Sequence, residues 1–385
     1  MRRTVYNEDH EAFRETIRAF IEAEVVPVYD QWLEAGQAPR DFYYKLGELG
    51  VFGIEVPEEY GGAGEESFKF HAVISEECAR AGVSFGGSGV HTGLCLPYVM
   101  AYATDEQKKR WLPGFASGEI MFAIAMTEPG TGSDLAGMKT SAKLSEDGTH
   151  YVLNGAKTFI TGGVHADRVI VCARTAPPSP EDRRAGISLF VVDTKSEGYT
   201  VGRKLDKLGL KTSDTAELAF ADVKVPVEDL LGEEGKGFSY LGQNLPQERL
   251  GIAVGAYAQA AAAIRFAQLY VQDRTVFGQT VASFQNTKFE LAACKAEVDA
   301  AEAVVDRALE AHDLGELNAA DAASAKLFCT EVAARVIDRC LQLHGGYGYM
   351  NEYPIARLYA DNRVNRIYGG TSEVMKSIIA KSMGL

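Results

Sequence analysis

An acidic residue at the edge of an apolar run is the first candidate for chemistry in this sequence. In the stretch NLPQERLGIAV, Glu248 and Arg249 follow Pro246, and the residues from Leu250 to Ile264 carry no charge. Asn244 and the proline suit a helix start, where the backbone dipole favours an acid. Burial, in contrast, raises a carboxyl pKa toward neutrality, where a general base works best. At this point Glu248 can be interpreted either as a structural residue at a helix start or as a functional acid.

A glycine-rich turn is the second candidate. The stretch IAMTEPGTGSDLAGMKTSA places Thr127 and Ser133 among small residues, which bring backbone N–H groups close to a ligand. A later strand ends in KTFITGG, so we expect Phe159 and Thr161 to lie beside the turn. An aromatic ring and a hydroxyl group suit the face and edge of a flat ligand. The alternative is a turn that only leaves a strand.

Several other chemistries lack their sequence signals. No G-x-G-x-x-G follows a strand, and GGSGVHTG lacks the ending of a phosphate-binding loop. The chain has neither an H-E-x-x-H motif nor a G-x-S-x-G elbow, so we expect no metal site and no serine hydrolase. The six cysteines form no C-x-x-C pair and are predicted to be buried, reduced thiols.

Three zones must position these residues. Residues 1–118 have apolar spacing of three and four, which predicts an α-helical domain, and DEQKKRWLPGFASG is a helix expected to close on Gly118. Residues 119–232 change to a period of two and are predicted to form a β domain. Residues 233–385 return to helices, with long ones from Pro246 to Arg274, 286–312 and 318–344 and a last one after Gly370, which predicts a bundle.

Composition limits the partners and the compartment. A net charge of −14 argues against a nucleic-acid surface, which needs clustered Lys and Arg. The first residues lack the apolar core of a signal peptide, and no uncharged apolar stretch reaches the length of a membrane span. We therefore expect a cytoplasmic protein that does not bind membranes.

Several motifs, in order and over essentially the whole length, resemble the FAD-dependent acyl-CoA dehydrogenases. AMTEPGTGSD resembles the first signature of that family, KTFITGG its flavin-covering strand, and RTVFG, QLHGGYGY and IYGGTSE its cofactor-binding segments. GRKLDKLGLKTSDTAEL, LLGEEGKGF and LPQERL are most similar to the long-chain branch. The resemblance implies a mostly α fold with a central β domain, a homotetramer, one FAD per subunit, and electron-transferring flavoprotein as the acceptor.

The resemblance also addresses the first candidate. Most family members carry their catalytic base in a Y-E-G-T segment, where this chain reads Tyr368, Gly369, Gly370 and Thr371. In the long-chain and isovaleryl branches the base lies at the start of the buried helix, which matches Glu248. A glycine at 369 is then expected, because a second carboxylate would raise the pKa of the first.

The remaining site residues are implied by the same resemblance. For FAD they are Met126, Thr127, Ser133, Phe159, Thr161, Arg274, Gln285, Gln342, Gly345, Gly346, Thr371 and Glu373. For the acyl-CoA substrate they are Ser133, Arg249, Tyr368, Gly369 and Gly370. Arg274 and Gln342 are expected to reach the FAD of a neighbouring subunit. Ser239 stands where the long-chain branch has an aromatic side chain.

The expected reaction is α,β-dehydrogenation of long-chain acyl-CoA to trans-2-enoyl-CoA in fatty acid β-oxidation. Gly86, Gly87, Gly89 and Gly93 lie in the segment that, by resemblance, closes the far end of the acyl tunnel, and open space there would favour long chains. The alternatives are an isovaleryl or short-branched-chain dehydrogenase, an oxidase, and a catalytically silent flavin-binding homologue.

Overall fold

The N-terminal region is helical in this computed structural model, which describes residues 3–179 and 181–385. Thr104 begins the last helix of this region by accepting a hydrogen bond from the Gln107 N–H, and Gly118 ends it at a φ of 76°. The predicted closure on Gly118 is confirmed. The helices are α1 (Glu8–Phe20), α2 (Tyr29–Ala35), α3 (Arg40–Glu48), α4 (Lys69–Ala81), α5 (Ser88–Val90), α6 (Leu96–Tyr102) and α7 (Asp105–Ser117).

The middle region is a single sheet of eight strands. Its order is β6-β7-β3-β2-β4-β5-β8, with β1 paired in parallel to β4. The strands are β1 (Phe122–Ala125), β2 (Ser141–Leu144), β3 (His150–Thr161), β4 (Arg168–Arg174), β5 (Ile187–Asp193), β6 (Tyr199–Lys204), β7 (Thr215–Pro226) and β8 (Leu230–Leu231). Its β3 and β7 pair antiparallel with register shifts beside Gly155 and before Ile160, so the end of β3 is irregular.

The C-terminal region is a bundle in which α10 packs against α8, α9, α11 and α12. The helices are α8 (Gly237–Asp273), α9 (Gln285–Asp313), α10 (Ala319–Leu343), α11 (Pro354–Asn362) and α12 (Ser372–Ser382), with a short hairpin of β9 (Thr275–Val276) and β10 (Gln279–Thr280) after α8. Together with the helical N-terminal region and the sheet, this bundle confirms the predicted fold class.

The predicted start of α8 was wrong. The helix begins at Gly237 and passes through Pro246, which lies inside it rather than in its first turn. Asn244 does not cap the helix but donates its side-chain amide to the Tyr240 carbonyl one turn back, at 3.2 Å. Packing of α8 against α4, α9 and α10 outweighs the local cost of an internal proline. Glu248 therefore lies beyond the first turn, where the helix dipole no longer favours an acid.

The same helix bears on the membrane prediction. Contrary to the expectation from sequence, α8 is long and apolar enough to cross a bilayer by length and composition, but 61% of its most apolar window is buried inside the fold. Alanines and Leu250, Val254 and Ile264 of this helix form one core with residues of α9 and α10. Burial against these helices accounts for the apolar composition of α8.

Candidate active site

Glu248 lies against the loop that joins α11 to α12. Its side chain is half-buried, and in the part of the chain that the structure describes its carboxylate accepts no hydrogen bond. A Cβ atom placed on Gly369 would lie 3.2 Å from Glu248 Oε1 and 2.4 Å from Ile252 Cδ1. The backbone of Gly369 also has a φ of +61°, which favours glycine. The structure thus brings Glu248 to the position that a carboxylate at residue 369 would approach.

Two buried cations hold the carbonyl groups of this loop. Lys326, on α10, donates from Nζ to the carbonyl oxygens of Tyr368 and Gly370. Arg249 donates from Nε to the Gly369 carbonyl at 3.3 Å. The two cationic side chains are 1% and 5% exposed, so three consecutive carbonyl groups are bound from the protein interior.

The surroundings of Glu248 determine its ionisation. Burial raises the pKa of its carboxyl group, and the charges of Arg249 and Lys326 offset this only in part. Burial lowers the pKa of Lys326 to about 8, against the opposing effect of the Glu248 charge. Burial, followed by the Glu248 charge, raises the pKa of Tyr98 on α6 and of Tyr368. A carboxylate with a raised pKa and no hydrogen bond is suited to accept a proton.

The glycine-rich turn lies beside the end of β3, as predicted. The Thr158 N–H donates to the Thr127 carbonyl at 2.9 Å, and Lys157 Nζ donates to the Met126 carbonyl at 3.0 Å. The aromatic ring of Phe159 is 68% exposed and its backbone has a φ of 60°, while Thr161 is half-buried on the same strand end. Ser133, later in the turn, is exposed. An exposed ring beside hydroxyl groups and backbone amides fits the flat ring system of a flavin.

A buried carboxylate, that of Glu128, supports this turn. Glu128 accepts hydrogen bonds from the N–H groups of Lys139 and Thr140, at 2.7 and 2.9 Å, and from Lys157 Nζ at 3.0 Å. Burial alone would raise the pKa of Glu128, but these donors more than offset it and the pKa is lowered. Glu128 is therefore a structural acid that fixes the turn.

Five of the seven predicted FAD residues of the C-terminal region line two clefts that have no lining residue in common. The first cleft, of about 500 Å³, is lined by Arg274, Gly345 and Gly346. In it the Arg274 guanidinium lies 5.5 Å from the centre of the Tyr347 ring. Thr371 and Glu373 line the other, of about 730 Å³.

Each cleft offers groups suited to part of a dinucleotide. A cation beside an aromatic ring fits a phosphate and an adenine. Thr371 is the N-cap of α12, as its sequence suggested, since its side chain accepts from the Val374 N–H at 3.3 Å. Gln285, the first residue of α9, and Gln342, near the end of α10, are exposed and line neither cleft.

The four glycines of the tunnel segment differ from one another. A Cβ on Gly86 would meet the Tyr43 hydroxyl at 2.7 Å and the Thr212 carbonyl at 3.0 Å, so Gly86 is required for packing. A Cβ on Gly87 would lie 3.4 Å from Gly162 Cα, whereas a Cβ on Gly89 or Gly93 would meet no atom of the described residues within 4 Å. Only the latter two leave open space.

Sequence reasoning missed Lys326, Tyr98 and the role of Glu128. Lys326 had a signal, because it is a single cation on a helix face shared with Ala322, Cys329 and Ala333, all of which are buried. Tyr98 and Glu128 had no such signal, since their environments come from residues distant in the sequence. Ser239 is exposed and accepts from the Gln243 amide at 3.4 Å. The six cysteines are buried and free, as predicted.

Comparisons with known proteins identify the family to which the chain is similar. Profiles for the N-terminal, middle and C-terminal domains of acyl-CoA dehydrogenase match residues 7–119, 123–223 and 235–384. The long-chain specific acyl-CoA dehydrogenase of Sus scrofa mitochondria is 44% identical over 99% of this chain and 88% of its own length. A 3-(aryl)acrylate reductase of Clostridium sporogenes is 38% identical over 98% of this chain and 99% of its own.

Solved structures show the same architecture. An acyl-CoA dehydrogenase from Geobacillus kaustophilus superposes with a TM-score of 0.95, at 46% identity and 99% coverage of both chains. An acyl-CoA dehydrogenase from Bacillus anthracis, solved in complex with FAD, superposes with a TM-score of 0.89 at 34% identity, over 98% of this chain and 67% of that one.

The chain belongs to the acyl-CoA dehydrogenase family of flavin-dependent oxidoreductases that act on acyl-CoA. Its cofactor is FAD. The exposed Phe159 ring, the amide-rich turn and the two clefts of the C-terminal region fit that cofactor.

Proposed function

We propose that this protein dehydrogenates long straight-chain acyl-CoA thioesters to trans-2-enoyl-CoA in fatty acid β-oxidation, with Glu248 as the catalytic base. The observation that carries the proposal is the Glu248 carboxylate, which has a raised pKa and lies 3.2 Å from a Cβ position on Gly369. Glu248 takes the proton from the carbon next to the thioester carbonyl. FAD, when bound, supplies the acceptor for the hydride that leaves the next carbon.

Loss of the α proton places negative charge on the thioester oxygen, which needs hydrogen-bond donors. The N–H groups of Gly369 and Gly370 donate to no acceptor within the described residues and belong to the loop beside Glu248. They are the donors we assign to this oxygen. Arg249 keeps this loop in place through the Gly369 carbonyl rather than through the substrate.

The preference for long chains is supported by the open space at Gly93, which is half-buried, whereas Gly89 is exposed. Each methylene that an acyl chain buries there contributes about 0.8 kcal/mol to binding. The test is anaerobic flavin bleaching by straight acyl-CoAs of increasing length and by isovaleryl-CoA. We expect the highest ratio of the flavin-reduction rate to the apparent Kd for long straight chains. Gly93→Leu should shift the optimum to shorter chains, and short substrates serve as the control. A wild-type optimum at four or five carbons would favour the short-branched-chain alternative.

Three further alternatives are distinguished by this assay and by two variations of it. The similarity to a 3-(aryl)acrylate reductase favours comparing the reverse reaction, in which a reduced flavin transfers hydride to an enoyl substrate. A silent flavin-binding homologue would show no bleaching with any acyl-CoA. Glu248 opposes this last alternative, because its environment is suited to proton removal. Turnover with oxygen alone would indicate an oxidase.

Assembly and location are also part of the proposal. The two clefts that share no lining residue are consistent with one FAD held by two subunits, as a homotetramer would require. Light scattering of the purified protein tests this, and a monomer that retains FAD would contradict it. Electron-transferring flavoprotein as the acceptor and a cytoplasmic location remain predictions from the sequence.

A further inference from the structure

Lys326 is a buried cation without a hydrogen-bonded carboxylate. Its side chain is 1% exposed on α10, and within the described residues no acid lies within salt-bridge distance of it. Its hydrogen bonds go to two neutral carbonyl groups, those of Tyr368 and Gly370. A buried charge compensated in this way is costly for folding. A merely structural clamp would not need a full charge, since an amide donor could bind a carbonyl group.

The geometry of the peptide unit connects Lys326 to the substrate side of the loop. The carbonyl of Tyr368 and the N–H of Gly369 belong to one planar trans peptide unit and point in opposite directions. Because Lys326 binds this carbonyl from the interior, the Gly369 N–H is directed away from the interior, where it has no acceptor within the described residues. Arg249 fixes the next peptide unit by binding the Gly369 carbonyl.

We propose that Lys326 is a positioning residue that aims and polarises the Gly369 N–H toward the thioester oxygen and supplies fixed positive charge near Glu248. The inference rests on the proposed function, because the oxygen becomes negatively charged only when the α proton leaves. A cation on the carbonyl end of a peptide makes its N–H a stronger donor through hydrogen-bond cooperativity. The gain is largest when negative charge develops on the acceptor.

Lys326 also affects the base. Four ionisable groups face Glu248: Arg249 from its own helix, Lys326 from α10, Tyr98 from α6 and Tyr368 from the loop. The two tyrosines have raised pKa values and stay neutral, so the two cations alone favour the ionised carboxylate. Removing Lys326 should therefore raise the Glu248 pKa and move the acidic limb of the rate profile to higher pH.

The experiment uses the FAD-loaded enzyme and a 3-oxoacyl-CoA of the chain length that wild type turns over fastest. This thioester is acidic, and its enolate absorbs in the ultraviolet, so its ionisation when bound can be titrated without turnover. Lys326→Met should weaken enolate binding by at least about tenfold. The effect should stay below the ~10²–10³-fold loss caused by removing an oxyanion donor itself, because the Gly369 N–H is still present. Binding of the saturated acyl-CoA should change far less. The acidic limb of kcat should move up by about one pH unit or more.

Three further variants sharpen the test. Lys326→Arg keeps the charge and should restore the acidic limb toward wild type. Arg307→Met removes one positive charge from an exposed pair on α9 and should leave both titrations unchanged. If Lys326→Met does not fold, Lys326→Gln, which keeps a donor but not the charge, should show the shifted acidic limb.

The outcomes separate this inference from the proposed function. If wild type stabilises the enolate and the Lys326 variants do so equally, with an unchanged acidic limb, Lys326 is only a structural clamp and the inference is overturned. If wild type itself does not stabilise the enolate, the oxyanion site is absent, and the inference and the proposed function fail together.

Discussion

Two glutamates, each near a buried lysine, behave in opposite ways in this protein. Glu128 in the β domain accepts two backbone N–H groups and Lys157 Nζ, and its pKa is lowered. Glu248 in the bundle accepts no hydrogen bond from the described residues, and its pKa is raised. In the second site the lysine, Lys326, binds carbonyl groups of the loop instead of the acid.

The two sites differ in how the carboxylate charge is compensated, because donors bind Glu128 directly whereas the cations near Glu248 act on it only through space. Donors that bind the carboxylate directly offset the free-energy cost of its lost solvation, so Glu128 stays ionised and stabilises the fold. A cation that acts only through space offsets less of this cost, so the pKa of Glu248 stays raised, as a general base requires. The same residue types thus form a structural site at Glu128 and the proposed catalytic site at Glu248.

The largest expected effect comes from Glu248→Gln. The amide keeps the shape but cannot accept the α proton, so the rate of flavin reduction by acyl-CoA should fall by about 10²–10⁴-fold or more, as measured by stopped-flow absorbance. Flavin content and substrate binding should be retained. Near-normal reduction by this variant would place the base elsewhere and remove the contrast between the two acids.

Breaking the structural pair should mainly affect stability. Lys157→Met leaves Glu128 without its cation and should cost about 3–5 kcal/mol in the free energy of unfolding, measured by urea denaturation. The matched control is Lys295→Met, which removes an exposed i,i+4 partner of Asp299 and should cost about 0.3–0.5 kcal/mol. Equal losses in the two variants would show that the Glu128 pair has no special role in the fold.

The smallest effect is the dependence of stability on pH, which should have opposite signs for the two acids. Glu128 has a lowered pKa, so its stabilisation is present above the unfolded value of about 4.5 and is lost as pH falls through the folded pKa. Glu248 has a raised pKa, so its contribution is complete below about 4.5 and is lost as pH rises through the folded pKa.

Urea unfolding of wild type and Glu248→Gln from pH 4 to pH 8 measures the sign of the pH dependence for Glu248. The stability of the variant relative to wild type should increase as pH rises. A relative stability that instead decreases would mean that the Glu248 pKa is lowered in the fold, as that of Glu128 is.

Local signals let the sequence determine much of the fold. The strand at His150–Thr161 follows from alternating polar and apolar residues. The end of α7 follows from the left-handed Gly118, and the start of α12 follows from the hydroxyl cap of Thr371. Each of these signals acts within a few residues. The motifs also led to the family, which the comparisons show, and to the prediction that Glu248 is the base, because the missing acid at Gly369 is visible in the sequence itself.

Only the tertiary structure decided where α8 begins and what surrounds the charged residues of the two sites. The start of α8 at Gly237 depends on packing that outweighs Pro246, and Lys326 meets the loop at Tyr368 only because α10 lies behind it. The opposite pKa shifts of Glu128 and Glu248 likewise depend on donors that the fold brings, or does not bring, to each carboxylate. Desolvation and hydrogen bonding act between residues far apart in the chain, so spacing along the sequence does not determine them.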